Sequence, residues 1–262
     1  MDDVNVGSAA APARGRENVV KRSHILALLA GTSVTAVAAL YYLTSNRKLP
    51  MRNRSSRQVS VDDRVAQYGA RADARLRPAF QRAGVSYPPA EVALLAFKDT
   101  RAMELYARAS ADDSWQYVKT YAVLGASGKP GPKLAEGDRQ VPEGVYQIEL
   151  LNPRSRFHLS LRLNYPNEFD RRMAAADGRT ELGADIMIHG SASSIGCLAM
   201  GDDAAEDLFI LAARVGKESL RVVIAPTDFR VEPPRLIMHE PRWVSMLYAN
   251  LNEALKAFRR DA

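Results

Sequence analysis

At Glu91 the spacing of apolar residues changes from helical to extended, and this switch constrains the fold more than any other feature of the chain. Upstream, Val65, Tyr68, Ala72, Leu76 and Phe80 recur on one face of a helix predicted over 61–83. Ser60-Val-Asp-Asp63 supplies a capped start and Gly84 a stop, while Pro78 is expected to break or kink the helix. Downstream, "EVALLAFK" and "AMELYARA" are short β runs around the charged turn Lys98-Asp-Thr-Arg101, the pattern of a hairpin. "WQYVKTYAVL", "VYQIELL", "FHLSLRL", "ADIMIHG" and "LRVVIAP" read as further strands, with a Gly/Pro-rich loop over 125–144. Helical spacing returns at Asp202–Val215 and Arg242–Arg259, and no internal repeat is present. The expected fold is mainly β with flanking helices: a leading helix over 61–89, then a β domain over 90–262 that ends in a helix.

Charge divides the chain differently. The net charge is +6, and residues 1–60 carry all of it, with nine Lys/Arg against three Asp/Glu. The remaining residues hold 27 of each sign, so the folded part exerts no net pull on phosphate backbones and nucleic acid is not an expected partner. Within the basic segment, "HILALLAGTSVTAVAALYYLT" (24–44) is uncharged, flanked by Lys21-Arg22 and Arg47-Lys48, and long enough to cross a bilayer. We read 1–23 as a basic cytoplasmic tail, 24–44 as an inner-membrane signal anchor and 45–60 as a linker. The alternative is a signal peptide cleaved near Ala38, after the small-x-small pattern Ala36-Val-Ala38.

The one cysteine, Cys197, excludes an intrachain disulfide and any cysteine-cluster zinc site. It lies in "GSASSIGCLAM", eight positions after His189, which ends the strand "DIMIHG". A cysteine nucleophile acts as a thiolate, and a neighbouring imidazole is the usual means of making one. Small residues let backbone N–H groups approach a substrate carbonyl, so Gly196 and Cys197 are candidate oxyanion donors. "IHGSASS" contains no acid, which leaves a backbone carbonyl to orient the histidine. The competing reading is a small buried cysteine beside a hydrogen-bonded strand-end histidine. Tyr165 could line a cleft or simply form a turn with Pro166 and Asn167, and Arg139 could bind a carboxylate or be solvated. Trp243 and Tyr248 read as packing residues. His24, His158 and His239 lack metal-ligand spacing, and neither a metal nor a cofactor is expected.

Three motifs carry a family resemblance. His189-Gly190 followed by Ser194-x-Gly196-Cys197 resembles the signature of the YkuD-type L,D-transpeptidase catalytic domain. "GDRQVPEGVYQI" (137–148) resembles that family's Gly-Asp-x-x-(Thr/Val)-Pro-x-Gly-x-(Phe/Tyr)-x-Ile segment. "LSLRLNYPNEFDRR" (159–172) resembles the Leu-x-Tyr-Pro-Asn-x-(Phe/Tyr)-Asp stretch of its YafK-type branch, as do residues 76–108 and 243–258. The likeness spans roughly residues 60–260, about four-fifths of the chain.

The resemblance implies a YkuD-like β-sandwich or barrel-like fold in the periplasm, acting on peptidoglycan stem peptides. It makes Cys197 the nucleophile on the diaminopimelate carbonyl, His189 the general base and the Gly190 carbonyl the orienter of His189. Ser194 would support the loop or the substrate, and the Gly196 and Cys197 amides would form the oxyanion hole. Typical members carry Arg two positions after the cysteine, where this chain has Ala199. That departure raises a second activity, hydrolysis of the diaminopimelate–lysine link between peptidoglycan and an outer-membrane lipoprotein. Readings from other classes are a non-catalytic wall-binding scaffold and a cytoplasmic thiol enzyme.

Overall fold

A computed structural model describes residues 58–233 and 240–259. The expected anchor at 24–44, the tail before it, the linker up to residue 57, His24 and His239 lie outside the described residues. The first described helix, α1 (Val61–Arg82), opens on a capping box. Ser60 Oγ accepts the Asp63 N–H at 3.1 Å, and the Asp63 carboxylate accepts the Ser60 N–H at 2.9 Å. Its apolar face buries Ala72, Leu76, Ala79 and Phe80. Contrary to expectation, the helix runs on through Pro78. Pro78 and Ala74, whose carbonyl loses its donor, are both exposed, so water can serve that carbonyl. Burial of the opposite face outweighs the local cost of about 3 kcal/mol.

Eight strands follow: β1 (Glu91–Phe97), β2 (Ala102–Arg108), β3 (Gln116–Ala122), β4 (Gly144–Asn152), β5 (Ser160–Leu163), β6 (Met187–His189), β7 (Leu198–Ala199) and β8 (Leu220–Ala225). They form one sheet in the order β3-β2-β1-β8-β4-β5-β6-β7. The β1–β8 and β6–β7 pairs are parallel and the others antiparallel. Beyond β7, Gly125 bridges to Ala199, so the chain leaving β3 curls back on the far edge and makes a half-barrel. Three more helices are α2 (Glu168–Ala176), α3 (Asp202–Val215) and α4 (Val244–Leu255). α2 and β7 were not expected as elements. "FHLSLRL" is strand only from Ser160 onward.

Two apolar layers sandwich the central strands. Leu94 and Ala96 join the core that includes Leu76 and Phe80 of α1 and Phe209 of α3. Ala93, Leu95 and Phe97 face the other way, in the cluster with Leu247, Tyr248 and Leu251 of α4. Coverage on both faces is why "EVALLAF" is a continuous apolar run and not an alternating one. Among the described residues no helix is long and apolar enough to cross a membrane.

Candidate active site

The parallel β6–β7 ladder sets the geometry of the site. Ile188 pairs with Leu198 and His189 with Ala199. Ile188 and Leu198 point into the core. Alternation along each strand puts His189 and Cys197, the residue leading into β7, together on the opposite face. Neighbouring strands are about 4.8 Å apart, so the two side chains are diagonal neighbours. Ser160 of β5 pairs with His189 from the other side. It is fully buried, and its hydroxyl has no hydrogen-bond partner among the described residues.

His189 is only 2% exposed. Its Nδ1 lies 2.5 Å from the Gly190 carbonyl oxygen, an acceptor, so Nδ1 carries the proton and Nε2 keeps a lone pair. The Phe157 ring covers the imidazole, with centroids 4.7 Å apart. Burial pushes the imidazole below its ordinary 6.5, partly offset by the Gly190 carbonyl. Cys197 is half-buried, and its Sγ donates to the Asp185 carbonyl at 3.6 Å. Burial pushes the thiol up, while the Met187 backbone and the Ser194 hydroxyl act in the opposite sense. Burial thus acts on both groups in the same sense, favouring the neutral imidazole and the protonated thiol.

Serine hydroxyls hold the loop before Cys197. Gly196 adopts φ +88°, a conformation that glycine alone holds readily. Its N–H donates to Ser127 Oγ at 2.7 Å, and Ser127 Oγ donates to the Arg139 carbonyl at 2.7 Å. The Cys197 N–H donates to Ser194 Oγ at 2.9 Å. Both expected oxyanion donors are thus engaged by hydroxyls in this state.

Ser127 belongs to the 125–144 loop, which buried charge makes rigid. Lys98 Nζ donates to the Gly131 and Val141 carbonyls at 2.8 and 2.9 Å and lies 3.0 Å from Glu143. Glu143 in turn accepts the Gly131 N–H at 2.7 Å. Asp138, from the "GDRQVP" motif, accepts N–H bonds from Leu134, Ala135 and Gln140 and one from Lys133 Nζ. That motif residue is a loop staple, and the neighbouring Arg139 side chain is exposed. An open groove of about 660 Å³, lined by Arg75, Tyr121, Leu124, Ala192 and Asp203 among others, includes neither His189 nor Cys197 in its lining.

Residues 94–224 match the family model of the YkuD L,D-transpeptidase catalytic domain. The chain belongs to this family. This chain is 34% identical over 149 residues to "Putative L,D-transpeptidase YafK" of Escherichia coli K12, covering 55% of this chain and 56% of that protein. The same figures hold for the protein of that name in Escherichia coli O157:H7. The chain thus spans about half the length of the curated relatives it matches. Among solved structures, the helical cell shape determining protein Pgp2 from Campylobacter jejuni is 21% identical, with TM-score 0.42 over 60% of this chain and 55% of that one. L,D-transpeptidase 1 of Mycobacterium tuberculosis is 12% identical, with TM-score 0.30 over 52% and 62%.

Of the two readings open for Tyr165, burial favours packing: it is 5% exposed, packs edge-on against Tyr146 and donates to the Leu182 carbonyl at 3.1 Å. Ala199, where the resemblance implied Arg, is fully buried between His189 and Gly125. Ser127, Phe157 and Lys98 escaped the sequence reading. Ser127 is a polar residue in a loop, Phe157 looked like strand, and Lys98 looked like a turn charge although it points inward. Among the described residues no three His, Cys, Asp or Glu side chains gather as metal ligands.

Proposed function

We propose that this YkuD domain is a peptidoglycan-modifying cysteine acyltransferase. Cys197 Sγ attacks the carbonyl carbon of diaminopimelate in a stem peptide while His189 Nε2 takes the thiol proton. The C–N bond breaks, the imidazolium returns the proton to the departing amine, and a thioester remains on Cys197. An amine or water then attacks the thioester, losing its proton to His189, which passes it to the sulfur as the thiol is released. The observation that supports this reading is the shared face of His189 and Cys197, with Nδ1–H held by the Gly190 carbonyl so that Nε2 is the basic nitrogen. As the carbonyl oxygen gains charge, it takes the Gly196 and Cys197 N–H groups from the Ser127 and Ser194 hydroxyls.

Ala199 favours a second reading, hydrolysis of the diaminopimelate–lysine link to an outer-membrane lipoprotein. With alanine two positions after the cysteine, the guanidinium that the resemblance places there is missing, and a donor carboxylate lacks that partner. Incubating the full chain with tetrapeptide muropeptides and with lipoprotein-linked sacculi, followed by mass spectrometry, separates the two. New 3–3 cross-links indicate transpeptidation, and release of the lipoprotein indicates hydrolysis. Absence of both from folded protein would leave a wall-binding scaffold and overturn the proposal. The substrate lies outside the cytoplasm, so we also assign 24–44 to the inner membrane with the domain in the periplasm. An inactive C-terminal alkaline phosphatase fusion, alongside an active cytoplasmic reporter, would refute that assignment.

A further inference from the structure

The segment Phe157–Leu159 touches the His189–Gly190 pair at several points. Phe157 lays its ring over the imidazole although it remains 48% exposed. The Leu159 carbonyl accepts the Gly190 N–H at 3.2 Å. Gly190 is packed so closely that a Cβ there would come within 2.8 Å of the Phe157 carbonyl oxygen and 2.9 Å of His158 Cβ. Between them, His158 sits at φ +69°. A residue with a side chain holds that left-handed conformation only where its surroundings over-determine it.

Glu206 of α3 supplies that restraint. It is fully buried, and its Oε1 lies 2.7 Å from His158 Nε2. The same carboxylate takes Arg71 Nε at 2.6 Å, a second Arg71 nitrogen, and Arg75 at 3.1 Å, all from α1. Burial works to raise this carboxyl, but the bonds from Arg71, His158 and Arg75 outweigh it and hold it below the ordinary carboxylate range. Being ionised, Glu206 accepts, so His158 Nε2 donates. The Tyr68 ring packs against His158 at 5.0 Å, under the Arg71 guanidinium. Such a buried charge cluster is weak as a device for stability alone, and the acyl-transfer chemistry makes no use of it. Its reach ends at the roof of His189.

We propose that His158 and Glu206 are positioning residues for the base, locking the left-handed turn that places Phe157 over His189 and holds Gly190 where its carbonyl receives Nδ1–H. The role of His189 as base rests on the reading given above; the placement of its ring does not. The groups facing His189 are the Gly190 carbonyl, the Phe157 ring, the Ser160 hydroxyl and, just before β7, the Cys197 thiol, with Asp202 against Gly190.

The test is an NMR titration of the full chain labelled in its four histidines, reading the tautomer and titration midpoint of His189. Wild type should show the Nδ1–H tautomer and a midpoint below 6.5. In His158→Val, Glu206→Gln and Phe157→Ala the midpoint should rise toward the ordinary imidazole value and the tautomer should become mixed. His158→Asn, whose side chain tolerates the left-handed region, should largely restore wild-type behaviour. Adding Phe157→Ala to His158→Val should bring no further shift, because both act through one contact. Phe157 is half exposed, so its variant should fold even where a Glu206 variant does not. An unchanged His189 tautomer and midpoint in folded Phe157→Ala or His158→Val overturns the proposal. In parallel, kcat/KM at pH 7 should fall about tenfold in His158→Val, a small part of the 10²–10⁴ that a positioned base contributes. A shifted midpoint with unaltered turnover would support the positioning role and refute His189 as the base.

Discussion

Strands β1 and β7 are both buried, yet different forces hold them. β1 is seven residues long, pairs along its length with β2 and β8, and is covered by apolar layers on both faces. β7 is two residues, and directional bonds fix its surroundings: the His189 and Gly125 backbone pairs, Ser127 under Gly196, and Ser194 under Cys197. Apolar burial is non-directional and makes a platform whose stability is large but whose atoms can shift slightly at little cost. Hydrogen bonds contribute less energy each but specify where a sulfur or an amide must lie. Substitutions in β1 should therefore lower stability and spare the chemistry of the molecules that remain folded, while substitutions around β7 should do the reverse.

The largest expected effect is at the sulfur. Cys197→Ala should reduce turnover on muropeptides by about 10⁴-fold or more, with an unchanged thermal midpoint, and full activity would break the contrast at once. On the platform side, Leu94→Ala deletes a fully buried side chain and should cost about 2–5 kcal/mol in denaturant unfolding, with kcat of the folded fraction intact. A loss of kcat out of proportion to unfolding would mean that β1 shapes the site directly. Gly190→Ala puts a Cβ 2.6 Å from the Asp202 carboxylate and 2.8 Å from the Phe157 carbonyl. The forced displacement should lower kcat/KM by about a hundredfold, the scale of a 1 Å misplacement, with a smaller change in stability. Ser127 gives up the Gly196 N–H in the transition state but holds the loop in place before it, so Ser127→Ala should lower kcat/KM by about tenfold through lost preorganisation; no change would show that Ser127 merely fills space.

The smallest effect is on pH. Burial depresses His189 in the folded state, so below the ordinary value of about 6.5 the unfolded chain binds the proton more readily. Both the neutral imidazole and its contribution to stability are present above that value and are lost as pH falls through the window beneath it. An acid limb of kcat/KM at or above 6.5 in wild type would contradict the burial of His189.

Local sequence was enough for much of the platform and for singling out the candidate pair. Val65 to Phe80 at helical spacing, the capping box at Ser60, the hairpin around Lys98 and α3 from Asp202 all depend on neighbours close in the chain, where periodicity and turn chemistry act. His189 and Cys197 stood out because one cysteine and one strand-end histidine share a short glycine-rich segment. Other features depend on residues far apart in sequence. Pro78 stays within a helix because tertiary burial of Leu76, Ala79 and Phe80 exceeds its local penalty. β7 is two residues of strand only because β6 and Gly125 flank it. Tyr165 turns inward, which its turn motif with Pro166 and Asn167 did not reveal, and Ser127 meets Gly196 across 69 positions. Glu206 meets His158 across 48 positions and Arg71 across 135. Such pairings leave no period or spacing in the chain, since a hydrogen bond between distant residues exists only once packing has closed the loop between them.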